Sequence, residues 1–81
     1  MTTNNAALRT LGTLELFDRR VVMAMVTCHH RNAGNPNVTE GARRRYLERA
    51  EVAIRVLLGR RGLVVDPYLA AFRALTKTEN A

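Results

Sequence analysis

VTEGARRRYLERAEVAIRVLL, residues 38 to 58, is the longest uninterrupted helical pattern in the chain. At one residue per 100° of turn, Ala42, Tyr46, Leu47, Ala50, Ala53, Ile54, Leu57 and Leu58 share one broad arc, while Arg44, Glu48, Glu51 and Arg55 line the opposite side. The pattern predicts a helix with one buried face. Asn37 followed three residues later by Glu40 reads as a capping pair at its start, and Gly59 just past Leu58 is placed to take a left-handed stop. The charged stripe sets two arginines against two glutamates and reads as a solvated face that cancels its own charge.

Upstream, Ala7, Leu11, Leu14, Val21, Met25 and Cys28 recur at spacings near three and four, with Asp18 in the one polar slot. One amphipathic helix from about Ala6 to Arg31 fits that spacing. Gly12 is its weak point, because glycine in a helix interior costs roughly 1 kcal/mol against alanine and Thr13 behind it can cap a fresh start. The secure part is Thr13 to Arg31. Leu14, Phe17, Val21, Ala24, Met25 and Cys28 make its expected core arc, whereas Leu16, Val22, Met23 and Val26 point elsewhere. A helix apolar nearly all round is either the centre of a bundle or the seam of an oligomer, and in a chain this short the expectation is a homodimer through that surplus. His29, His30 and Arg31 are expected exposed at the helix end, where cations suit the dipole.

Between the two patterns, Asn32-Ala33-Gly34-Asn35-Pro36-Asn37 is turn chemistry of ordinary length, which makes the helices an antiparallel hairpin. Beyond Gly59-Arg60-Arg61-Gly62 and Leu63-Val64-Val65, the pair Asp66-Pro67 supplies a cap and a first helical residue. A short third helix is predicted from Pro67 to about Lys77, with Tyr68, Leu69, Phe72 and Leu75 on its apolar side, and Leu63 to Val65 is expected to lie extended against the hairpin. The fold class expected is therefore all-α. It consists of a helical hairpin (about 6 or 13 to 31, and 38 to 58) plus a third helix (67 to 77), in one small domain.

Composition sets the terms for function. A domain of this length buries only about 60% of its unfolded surface, and with 47% hydrophobic but 5% aromatic residues the burial has to come from Ala, Val, Leu and Met. Cys28 is the only cysteine, which fits a reducing, cytoplasmic setting. The longest apolar run, Val21 to Val26, is far short of the ~20 residues of a membrane span. Thirteen basic against seven acidic residues give a net charge of +6, with Lys77 the only lysine. Such a surplus attracts phosphate backbones or acidic proteins. Ser, Gln and Trp are absent, and this arginine- and valine-rich vocabulary is also what a GC-rich genome writes, suiting a phage or mobile-element accessory protein.

Catalytic constellations are not legible. Cys28, His29 and His30 project about 100° apart on a helix and cannot close on one ion, so no metal or cofactor is expected. There is no serine nucleophile, and Cys28 falls on the expected core arc. What stands out is a strip of Arg45, Arg49, Val52 and Val56, basic in its first half and apolar in its second, distinct from the core arc. Arginine among aliphatic neighbours is the composition of a protein interface, so this strip is the expected partner-binding surface, for a partner with an acidic surface.

The alternative is nucleic-acid binding through Arg43, Arg45, Arg49, Arg60 and Arg61. Gly59 to Gly62 resembles the GxxG loop of KH domains in spacing, but such a domain needs a sheet and a second helix directly after the loop, and a helix cap is the simpler reading. A helix-turn-helix reading of Asn37 to Ala50 meets a connection longer than usual. The favoured expectation is a non-enzymatic protein-binding factor, whether regulator, inhibitor or assembly subunit, that docks through a helix face.

Overall fold

The computed structural model describes residues 3 to 77. The chain is all-helical over that range, with α1 at Thr3–Leu11, α2 at Leu16–Ala33, α3 at Glu40–Arg60 and α4 at Asp66–Thr76. The hairpin and the last helix are as expected. The first expected helix is divided, and Gly12 marks the division. After Leu11 the backbone tightens, with Thr13 N–H donating to Thr10 O and Leu14 N–H to Leu11 O, each at 3.1 Å. Thr13 does not cap α2; its hydroxyl donates to Thr10 O at 2.7 Å and meets the Tyr68 hydroxyl of α4 at 3.0 Å.

The break matters because it lets α1 fold back onto α4. Ala6 and Ala7 face Ala70, Ala71 and Ala74, and side chains this small let the two helices approach closely. The resulting core draws on all four helices: Leu11, Val22, Ile54, Leu58 and Phe72 are each essentially inaccessible to solvent. On α3 the expected face is largely the buried one, with Ala50, Ile54 and Leu58 inside and Tyr46, Leu47 and Leu57 packed at its edge, but Ala53, expected on it, is exposed.

On α2 the expected face is wrong by about one residue of rotation. Asp18, Val22, Val26 and His29 are buried, whereas Phe17 is 64% exposed and Ala24 is exposed too. The physical reason is Asp18. A buried carboxylate is tolerated only if paired and hydrogen-bonded, and the guanidinium of Arg61, at the end of α3, supplies both bonds: Nε donates to Oδ2 and a terminal nitrogen to Oδ1, each at 2.9 Å. This fork locks the start of α2 to the end of α3 and turns the Val22 and Val26 side inward. His29, expected exposed, goes with them.

Three end signals also resolve differently. Thr39, not Asn37, caps α3, its Oγ1 accepting from Ala42 N–H at 3.1 Å, while Asn37 N–H donates to Asn35 Oδ1 in the preceding turn. Gly59 stays helical. The stop is at Gly62, with φ of 76°, where Gly62 N–H bonds Gly59 O at 3.0 Å and Leu63 N–H reaches back to Leu58 O at 3.1 Å. That pair of bonds is the Schellman arrangement. At α4 the cap position is Val65, which makes no side-chain cap bond, and Asp66 and Pro67 lie within the first turn. Of Leu63 to Val65, only Val65 packs against the core; Val64 is 73% exposed.

The two ends of the Gly59-to-Gly62 turn therefore have opposite backbone requirements. A Cβ at either glycine meets nothing within 4 Å, so backbone conformation alone decides. Gly59→Ala is expected to stabilise the fold by about 0.5 kcal/mol through helix propensity, and Gly62→Ala to destabilise it by about 1 kcal/mol through the left-handed backbone. Urea unfolding of the two variants checks this; equal effects of the same sign would contradict the cap assignment.

Candidate functional site

The expected strip lies on one side of α3. Arg45, Arg49, Val52 and Val56 are all exposed, Val52 at 55% and Val56 at 47%. Arg60 continues the same strip, so that the five residues fall within an arc of about 80° around the helix. Val56 and Arg60, with Ala53 and Leu57, form one wall of an open groove of about 450 Å³ between α2 and α3. Phe17, Val21 and Met25 of α2 form the other wall. The groove is apolar, and it is built from the very arc of α2 that periodicity assigns to the core. The rotation set by Asp18 has exposed Phe17 and Ala24 of that arc and left Val21 and Met25 half-buried at the groove.

The arginines divide into two populations. Arg43 donates to Val38 O at 2.8 Å, Arg44 reaches Glu40 at 3.5 Å, Arg61 holds Asp18, and Arg73 of α4 forks onto Glu51 of α3 at 2.7 and 2.9 Å. These are intramolecular staples. Glu51 therefore does not belong to a self-cancelling stripe on α3; its carboxylate ties α3 to α4, and the Arg73 hydrogen bonds hold it below the usual carboxylate pKa. By contrast Arg45, Arg49 and Arg60 make no ion pair among the described residues. Of the five residues expected to bind nucleic acid, Arg43 and Arg61 thus have partners inside the chain, and Arg45, Arg49 and Arg60 face solvent together. Sequence periodicity groups Arg45 with Arg49, and the continuation of α3 through Gly59, past the expected stop, brings Arg60 onto the same strip.

Cys28, His29 and His30 go three ways. Cys28 is half-buried beside Tyr46, whose phenol is pushed up to about 12 by burial first and by the Cys28 side chain second. His30 Nε2 meets Leu75 O at 2.7 Å, tying α2 to α4. His29 is buried and neither ring nitrogen finds a hydrogen bond of good geometry. Burial, and then the adjoining His30, push its pKa below the ordinary 6.5, with the Thr76 backbone pulling the other way and Arg43 adding to the push.

No protein-family model, curated protein or solved structure matches the chain. No helix among the described residues is long and apolar enough to cross a membrane. The class of protein is thus defined by the fold and surface alone, as a small four-helix domain with an arginine-edged groove.

Two titrations follow from these environments, in separate pH windows. His29 stays neutral in the fold at a pH where the unfolded chain takes up a proton, so stability is lost as pH falls through about 6.5. Asp18 is held below its ordinary 3.8, by the Arg61 hydrogen bonds first, against the opposing effect of burial, so its contribution is present above that value and lost as pH falls below it. His29→Leu should flatten the melting temperature between pH 7 and 5 and, by removing orphaned polar nitrogens, stabilise the fold by about 1 kcal/mol. Asp18→Asn should lower the melting temperature more than Arg73→Ala does, because Asp18 is buried and the Arg73 pair is half-exposed. Circular dichroism melts across pH check both, and an unchanged pH profile in His29→Leu would contradict the first.

Proposed function

We propose that this protein is a non-enzymatic protein-binding factor, a regulator, inhibitor or assembly subunit, that docks a partner on the Arg45, Arg49, Val52 and Val56 side of α3. The observation that carries the reading is the coexistence on one face of exposed apolar side chains and arginines without an internal partner. Arginine is among the residue types in which interfaces concentrate their binding energy, and apolar neighbours such as these valines help exclude water around it. A surface of this kind on a domain with so thin a core is a standing cost unless covered.

Nucleic-acid binding is the second reading, favoured by the contiguity of Arg45, Arg49 and Arg60. It draws less support because Val52, Val56 and Phe17 interrupt the basic surface, whereas a phosphate track gains from unbroken charge. A homodimer is the third use of the same face and belongs to the same test.

The discriminating experiment is affinity capture from the source cell extract, with and without nuclease, using the native protein, Val52→Asp and Arg60→Ala. Capture of one polypeptide that survives nuclease and is lost with Val52→Asp is the expected outcome. Capture that needs nucleic acid, with a log–log salt slope near −0.9 per phosphate contact on duplex DNA, and that Arg60→Ala abolishes while Val52→Asp does not, would overturn the proposal.

A further inference from the structure

The partner-binding reading leaves the partner's chemistry open, and the groove between α2 and α3 narrows it. Its floor and walls are apolar side chains of two antiparallel helices, and Ala53, the smallest of them, lets an incoming backbone come close. Phe17 stands 64% exposed at one edge and Val56 47% exposed at the other. A trough between two helical ridges is complementary to a third helix, which lays residues at i, i+3, i+4 and i+7 along it. The groove wall from Ala53 to Arg60 spans ~10 Å at 1.5 Å per residue, about two turns of such a helix, and the exposed strip back to Arg45 extends the contact to ~22 Å.

Charge decides what kind of helix. Arg60 lines the α3 side and Arg49 and Arg45 continue its strip along the helix beyond the groove, all without an ion-pair partner among the described residues, and Arg20 is exposed on the outer side of α2. No carboxylate among the described residues lines the groove. Asp18 is buried against Arg61, Glu51 is held by Arg73, Glu40 pairs with Arg44, and Glu48 lies about 100° round the helix from Arg49 and about 120° from Arg60, on the side of Arg45 away from the groove. A second copy of the chain seated by the same groove would bring its own arginines and no groove carboxylate to the seam, and like charges set against each other oppose docking. An extended phosphate backbone would satisfy the arginines but leave the apolar trough wet.

We infer that the α2–α3 groove is the docking site for an acidic amphipathic helix of another protein, its apolar stripe on Val21, Met25, Ala53 and Leu57 and its carboxylates on Arg45, Arg49 and Arg60. This rests on the protein-binding reading above and deepens it. The acidic residues belong along the flanks of the guest helix, because the arginines stand at the rim and not on the floor.

The test uses the full chain, isotope-labelled, and two synthetic peptides of about 18 residues, ~27 Å as helices. Both carry leucine at helical i, i+3, i+4 spacing, with glutamate at the other positions in one and lysine in the second. The glutamate peptide should shift the backbone amides of residues 17 to 25 and 53 to 60, and the lysine peptide should not. The double variant Arg49→Glu with Arg60→Glu, whose helicity and melting should match the parent because neither arginine has an internal partner, should weaken the glutamate peptide by about tenfold or more. It should bind the lysine peptide instead.

The inference is overturned if both peptides bind alike or neither binds. It is also overturned if a thymidine oligonucleotide or phosphatidylglycerol vesicles displace the glutamate peptide from these amides, or if sedimentation shows a dimer in which they are already covered. Should the captured partner still be lost with Val52→Asp while the glutamate peptide has no effect, the helix assignment falls and the protein-binding reading stands.

Discussion

The Asp18–Arg61 fork is the constraint on which the arrangement of this molecule turns. A carboxylate that is 1% exposed has to be matched by a partner able to satisfy both oxygens, and a guanidinium does this with two parallel bonds. Arg61 is available for the purpose because the Schellman turn at Gly62 ends α3 just there, opposite the start of α2. With the fork made, the roll of α2 about its own axis is set. Val22, Val26 and His29 go inward, and Phe17 and Val21 form the edge of the groove. The same ion pair that closes the fold thus opens the surface.

A thin aliphatic core explains why polar staples recur. Phe72 is the one large aromatic at the centre, and α1 meets α4 largely through alanines, which bury little area each. Asp18 with Arg61 ties α2 to α3, Glu51 with Arg73 ties α3 to α4, and His30 with the Leu75 carbonyl ties α2 to α4. Each acts between elements distant in sequence and fixes a direction that apolar contact leaves loose. His29 runs against this pattern, a buried imidazole with no hydrogen bond of good geometry, and its neutral form makes the fold sensitive to a fall in pH.

Using arginine for both jobs has a consequence for the surface. Asp18, Glu40 and Glu51 are engaged in ion pairs and no carboxylate among the described residues lines the groove, so the positive charge there is segregated and not merely in excess. Net charge alone therefore misdescribes the protein. A +6 total spread evenly would give a weak, general attraction to anions, whereas Arg60 in the wall of an apolar trough, with Arg49 and Arg45 continuing its strip, gives a surface with both a shape and a sign.

The amino-acid sequence by itself determined the helical class, the hairpin, the last helix after Asp66-Pro67, the buried face of α3 and the grouping of Arg45, Arg49, Val52 and Val56. These are local properties, carried by periodicity and by turn residues within a few positions of one another. Only the tertiary structure decided which side of α2 faces the core, where α3 stops, and which arginines remain outward. Leu16 to Val26 is apolar on nearly every side, so two core faces were about equally good for burial, and the choice rests on a carboxylate and a guanidinium 43 residues apart. No periodicity within α2 contains that pairing, because it exists only once the ends of two helices have met.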